Sequence, residues 1–218
     1  MTESVAIFDV DHTLTRRSTG WHFAVAAARR GAVPLRRLVA IPRFYLSYRY
    51  GRMEAGDLED DSRAALAGLS RALLDSIAEE AFESRILPDL RPEAVELVAS
   101  LKREGRRIVL ATSSFDLVVR PLAERLGVDT LLASALEFKD GLTTGRFEGP
   151  LLLGEAKLAA VGIFAAREGI ALGDCSFYSD SHHDLPLLRA AGRPVAANPD
   201  RRLAREARAR GWEIRDFA

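Results

Sequence analysis

Two carboxylates, Asp9 and Asp11, stand two residues apart in Asp9-Val10-Asp11-His12-Thr13, directly after the apolar run Val5-Ala6-Ile7-Phe8. At a strand end such a pair can divide labour. Asp9 can serve as nucleophile and metal ligand, and Asp11 can move protons while its backbone carbonyl reaches the same metal. The same residue types also cap and turn a chain after a strand. The pair therefore gains meaning only from its company.

Three other places supply that company. Thr112, with Ser113 and Ser114, closes a second apolar run, Ile108 to Ala111. A hydroxyl with free N–H groups at a helix N-terminus can cradle a phosphate, and it can equally be an ordinary N-cap. Lys157 lies early in an apolar helical stretch after Gly154. There it can neutralise a phosphoryl group and an attacking carboxylate, although most lysines are solvated surface residues. Asp180-Ser181-His182-His183-Asp184 follows a third apolar run, Ser176-Phe177-Tyr178. Asp180 can complete an oxygen-rich magnesium site, and Asp184 can orient Lys157 or a metal-bound water. His12, His182 and His183 would suit zinc, but the oxygen ligands favour a hard cation, and these histidines read as loop and turn residues.

The elements that must position these groups follow from the pattern. Short buried strands are expected at 5–8, 108–111, 176–178 and 195–197. Helices are expected at 93–103, 116–126, 155–168, 185–191 and 200–210, several closed by glycine. Asp140-Gly141 predicts a hairpin within 135–147. Residues 18 to about 82 read as helical throughout. The order outside that block is strand, helix, strand, helix, which predicts an α/β fold with a parallel sheet covered on both faces. Sites in such sheets form at the carboxyl ends of the strands. The expected organisation is a core of residues 1–15 and 86–218, with an all-helical cap of residues 16–85 inserted after the first strand.

Composition narrows the function classes. The chain has 218 residues and no formal net charge, so nothing global points to nucleic acid. Its one cysteine, Cys175, fits a cytoplasmic setting. No signal peptide and no run long enough for a transmembrane helix is read in the sequence.

Taken in order, these residues resemble the four motifs of the haloacid dehalogenase superfamily. Asp9-x-Asp11-x-Thr13 is similar to the first, Thr112 to the second, Lys157 to the third, and Asp180 with Asp184 to the fourth. Ser179 departs from the pattern, since a glycine often stands there. The long helical insert resembles the phosphoserine-phosphatase-like branch. The resemblance implies a Rossmann-like core and a Mg2+-dependent phosphomonoesterase. Asp9 would form an aspartyl-phosphate and Asp11 would be the general acid and base. Asp9, Asp11 and Asp180 would hold the metal, and Thr112, Ser113 and Lys157 the phosphoryl group. Thr13 and Asp184 would be supporting residues.

The substrate is less defined. In phosphoserine phosphatases a glutamate soon after the first motif receives the substrate ammonium; nine residues after Asp9 this chain has Ser18. From His12 to Met53 there is no acidic residue but nine arginines. An ammonium buried there has no obvious partner. Arg63 is similar to the carboxylate-binding arginine of that branch. The expected substrate is a small anionic phosphomonoester, with Ser18 and Arg63 as candidate contacts. An alternative is a lipid-phosphate phosphatase, phosphatidylglycerophosphate-like, meeting a membrane through Arg36 and Arg43. A non-catalytic phosphate-binding module is a third reading. Oligomeric state is not legible in the sequence.

Overall fold

The computed structural model describes residues 5–33 and 66–218. Arg63, Arg36 and Arg43, and with them the Arg-rich surface, lie outside the described residues.

The parallel strands β1 (Val5–Phe8), β2 (Arg107–Phe115), β5 (Cys175–Ser179), β6 (Arg193–Ala197) and β7 (Glu213–Arg215) form most of one sheet. Strands β3 (Thr130–Lys139) and β4 (Leu142–Glu148) complete it, in the order β4-β3-β2-β1-β5-β6-β7. Among the described strands only the β3–β4 pairing is antiparallel. The order reverses direction at β1, so β1 opens the crevice beside both β2 and β5.

Alternation along the central strands assigns the two faces. Ala6, Phe8, Ile108, Leu110 and Tyr178 face one core cluster, and Val5, Ile7, Val109, Ala111 and Phe177 face the other. Phe8 stacks on Tyr178 with ring centroids 4.3 Å apart. The first face is covered by α3 (Pro92–Arg103) and α4 (Asp116–Leu126) through Val98, Leu101, Val118 and Leu122. The second is covered by α5 (Glu155–Arg167), α6 (Leu185–Ala190) and α7 (Arg201–Arg210) through Val161, Leu187 and Leu203. Each fully buried side chain of this kind contributes about 1.5–3 kcal/mol through its removal from water.

The described part of the segment after β1 contains two α-helices and, after the second, a π-helical turn at Phe82–Ile86. In α1 (Thr19–Arg29) the Ser18 hydroxyl accepts from the Trp21 N–H, and in α2 (Arg71–Ala81) the Ser70 hydroxyl accepts from Leu73 N–H. Phe23 and Ala27 of α1 and Leu74 and Ile77 of α2 join the first core cluster. The chain crosses out of and back into the sheet layer side by side. Thr15 bridges Leu90, Arg16 N–H donates to Asp89 O at 2.9 Å, and Arg91 N–H donates to Leu14 O at 2.8 Å. A second seam joins the start of α2 to the β3–β4 turn. There Gly68 N–H donates to Thr143 O at 2.8 Å and Arg71 N–H to Gly141 O at 3.0 Å.

The structure departs from the sequence expectation in three places. Strand β3 begins at Thr130, and its first half pairs parallel with β2. The 135–147 hairpin is therefore the edge of the main sheet. Thr112, Ser113 and Ser114 belong to β2, which runs on to Phe115, so they neither end a strand nor start a helix. Helix α4 is preceded by Phe115, which makes no side-chain cap. Finally, the polar edge strand β7 had no pattern to announce it.

Candidate active site

The sheet brings the first and fourth motifs together directly. Phe8 is in register with Tyr178, so Asp9 and Asp180 emerge from adjacent strand ends. Asp9 N–H still donates to Tyr178 O at 2.9 Å. Thr112 lies two residues past Leu110, the β2 partner of Phe8, which sets it beside the same loop. After Asp11 the chain reverses through His12, a non-glycine residue at φ 61°. Such left-handed conformations cost of order 1 kcal/mol and recur at functional loops. The reversal buries Thr13, whose Oγ1 accepts the Asp180 N–H at 3.1 Å.

Lys157 is the centre of the site. Gly154, at φ 56°, turns the chain into α5 so that Lys157 points inward. Its Nζ lies 3.0 Å from Asp9 Oδ1 and 2.8 Å from Asp184 Oδ2, and it is only 3% exposed. Burial disfavours the ammonium, but Asp184 and then Asp9 outweigh it and its pKa is raised. Asp9 experiences the opposite pull. Burial raises its pKa to about 7; Lys157 works against the rise, while Asp184 and Asp11 add to it. A nearby positive charge of any origin would favour the Asp9 carboxylate.

Asp184 is held by more than Lys157. The Ser179 hydroxyl donates to Asp184 Oδ2 at 2.7 Å and accepts the Ser181 N–H at 3.2 Å. The serine that replaces the usual glycine is thus a hydrogen-bonding member of the site. The other oxygen of Asp184, Oδ1, is buried without a hydrogen-bond partner. A buried carboxylate oxygen left so is costly unless something polar reaches it.

That orphaned oxygen bears on a metal. Asp9 and Asp180 offer hard oxygen donors, and the Asp184 oxygen suits a metal-bound water. Among the described residues no three His, Cys, Asp or Glu side chains converge as a ready-made cage. Mg2+ does not ask for one, since it keeps several waters and binds through one or two carboxylates. The donor set fits Mg2+ and gives no support to zinc.

The histidines take structural posts. His182 Nδ1 lies 2.7 Å from Asp200 Oδ2, and the Asp200 carboxylate also accepts Arg202 N–H and Leu203 N–H as the N-cap of α7. Burial alone would raise the Asp200 pKa; hydrogen bonds from His182 and the Leu203 amide hold it well below the ordinary carboxylate range. Asp200 N–H donates to Asp180 O at 2.8 Å, which ties this network to the fourth motif. His12 Nδ1 lies 3.1 Å from Arg16 O. The buried His22 Nε2 lies 2.9 Å from Asp89 Oδ2 beside the chain crossings.

Asp11 points elsewhere than Asp9. Its Oδ1 accepts Thr19 N–H and lies 2.8 Å from Thr19 Oγ1, and its Oδ2 accepts the Ser114 hydroxyl at 2.9 Å. Ser18 is occupied as the cap of α1, so the residue that reaches the loop is the next one, Thr19. Sequence reasoning missed Thr19 and gave Ser114 no role of its own. A hydroxyl at a helix start carries no local sign that it reaches across to a carboxylate.

A buried lysine pairs with Asp9 beyond β1 and with Asp184 in the turn after β5, and residues 6–189 match the haloacid dehalogenase-like hydrolases. The chain belongs to this hydrolase family. The hydrolase is 38% identical to phosphoserine phosphatase SerB1 of Mycobacterium tuberculosis, over 98% of this chain and 71% of that one. It is 30% identical to the histidinol-phosphatase of Neisseria meningitidis serogroup C, over 99% of both. A crystal structure of a Bordetella pertussis protein of unknown function superposes on the hydrolase with a TM-score of 0.86, at 35% identity over 99% of both chains.

Proposed function

We propose that this hydrolase is a Mg2+-dependent phosphatase of small phosphomonoesters that works through an aspartyl-phosphate on Asp9. The observation that carries the reading is the buried Lys157, which is bonded to both Asp9 and Asp184. A buried ion pair gains little stability over an apolar packing, and such groups cluster at functional sites. Residues 16–85 act as the cap over a core of residues 1–15 and 86–218.

The chemistry follows from the residues. The Asp9 carboxylate attacks phosphorus, and the bond to the leaving oxygen breaks. Asp11 gives that oxygen a proton, so an alcohol departs. Asp11 then takes a proton from water, whose oxygen attacks phosphorus and frees the Asp9 carboxylate and inorganic phosphate. Lys157, Thr112 and Ser113 hold the phosphoryl oxygens. Asp9, the Asp11 carbonyl and Asp180 would hold Mg2+, with Asp184 as a supporting residue beside them and Thr13 bracing the Asp180 loop. Bound there, Mg2+ supplies positive charge that favours the Asp9 carboxylate and the charge on the transferring group.

The substrate class is a small alkyl phosphomonoester with an anionic group, consistent with the arginine-rich, carboxylate-free stretch before Met53. A second reading, histidinol phosphate, is favoured by the relative of that name whose whole length this chain matches. The test is phosphate release with Mg2+ from phosphoserine, histidinol phosphate, glycerol phosphate and a lysophospholipid phosphate. Turnover of one small ester, abolished by excess EDTA and by Asp9→Asn, is expected. Full activity in either of those two conditions would overturn the mechanism, and preference for the lipid would overturn the substrate class.

A further inference from the structure

The Asp11 carboxylate sits in a clamp built from both sides of the chain crossing. Thr19 lies on α1, in the segment inserted after β1, and is fully buried. Ser114 lies on β2 in the sheet, one residue before its last, Phe115. The two hydroxyl oxygens are 2.8 Å apart although 95 residues separate them in sequence. With the Thr19 N–H, they fix both oxygens of Asp11 at 2.8–2.9 Å.

Each arm has its own local cause. Thr19 is the first residue of α1, and its N–H is one of the donors that a helix start leaves without an intrahelical acceptor. Asp11 satisfies it. Ser114 is freed by a register shift. Thr112 pairs with Ala133 but Phe115 pairs with Ser134, so Ser113 and Ser114 bulge from the β2–β3 ladder. Bulges re-aim side chains beside active sites. The Ser114 N–H turns back to Thr112 Oγ1 at 3.1 Å, which leaves its hydroxyl pointing at Asp11.

We infer that Thr19 and Ser114 are positioning residues for the general acid and base, so that Asp11 is aimed for proton transfer only while the start of α1 meets the bulge of β2. The inference rests on the reading of Asp11 given above. A carboxylate held by three donors from two separate elements has one orientation. A general acid must lie within hydrogen-bond reach of the leaving oxygen, and a displacement near 1 Å can cost about a hundredfold. The nucleophile, by contrast, touches neither hydroxyl.

Leaving-group dependence tests this without knowledge of the natural substrate. The probes are phenyl phosphates whose leaving phenols run from 4-nitrophenol to 4-methoxyphenol, read as kcat/KM so that only steps up to departure of the phenol count. A poor leaving group needs the proton; 4-nitrophenol hardly does. Thr19→Val and Ser114→Ala should each lose about tenfold on the 4-methoxy ester and about twofold on the 4-nitro ester, a partial loss of a general acid worth roughly 10²–10⁴. Thr19→Ser and Ser114→Thr should restore the wild-type slope. The double variant should lose less than the product of the single losses, because both act on one carboxylate. If Thr19→Val fails to fold, the partly exposed Ser114→Ala carries the test. Equal losses on every ester, or none, would sink the inference while leaving the function intact. An Asp11→Asn variant with the wild-type slope would instead remove Asp11 from proton transfer. An active Asp9→Asn would remove the enzyme mechanism itself.

Discussion

The two aspartates of the first motif stand two residues apart and live in different worlds. Asp9 is buried among charges: an ammonium at 3.0 Å, a second carboxylate beyond it, and a pKa raised to about 7 by burial. Asp11 is only partly buried and is met by hydroxyls and one amide. Asp9 hydrogen-bonds with Lys157 of α5 and Tyr178 of the sheet. The partners of Asp11 come one from the sheet and one from the inserted segment. The difference teaches how one loop can hold two carboxylates in opposite surroundings. On the proposed roles, an attacking Asp9 would have a dry site and the fixed charge of Lys157 beside it. On the same proposal, an Asp11 that moves protons would take its orientation from Thr19 in the inserted segment and Ser114 in the sheet.

The contrast can be broken at its strongest point first. Lys157→Met leaves two buried carboxylates without their cation, and should cost about 3–5 kcal/mol in urea unfolding. Ser114→Ala, at the Asp11 clamp, should cost no more than about 1–3 kcal/mol. Equal costs at the two sites would mean that dryness is not what separates them. Next, Asp184→Asn keeps the shape but removes the charge behind Lys157 and the orphaned oxygen. A roughly 10–100-fold loss of Mg2+ affinity is expected, read from activity against metal concentration, as for other groups that orient metal ligands.

A third test uses pH. The raised pKa of Asp9 means that the native protein keeps a proton which the unfolded chain has already released. Its contribution is fully present below about pH 4, the unfolded value, and is lost as the pH rises through about 7. In metal-free buffer Asp9→Asn should therefore gain stability over the wild type between those limits, and the gain should level off above about pH 7. A difference that is flat with pH in thermal unfolding would contradict the burial argument. The smallest effect is expected at Asp200→Ala, which removes the cap of α7 and the partner of His182 for about 0.5–2 kcal/mol. Because the folded pKa of Asp200 is depressed, that difference should shrink as the pH falls below about 4. It should leave the leaving-group slope unchanged, since Asp200 touches neither aspartate of the first motif.

Much of the frame was legible in the chain. Helix α4 runs from Asp116 to Leu126 as its pattern and Gly127 indicate, and α5 starts after Gly154 as expected. Those boundaries are local: a glycine beyond a helix end, or an apolar run that stops at an acid. The misreadings are where local signals favour the wrong partner. Thr112, Ser113 and Ser114 look like a cap because hydroxyls favour helix starts. Pairing of Thr112 and Phe115 with β3 continues the strand instead, and the bulge between them turns Ser114 toward Asp11. Thr130 to Ser134 carries little strand signal by itself, and only the neighbouring β2 makes it a parallel strand. Ser179 looked like a mild exchange for glycine, yet its hydroxyl holds Asp184.

By itself the sequence determined the chemical inventory and its order: two aspartates after the first strand, a threonine after the core of the second, a lysine early in a helix, and two aspartates after the third. Residue type and strand-end position are local properties, so they survive in one dimension. The tertiary structure alone decided that Lys157 is dry, that it bonds an aspartate 148 residues away, and that Asp11 is gripped by hydroxyls 8 and 103 residues away. Those contacts depend on the register of β1 against β2 and β5 and on where α1 lands. No spacing along the chain encodes either, because both are set by packing that the whole sheet shares.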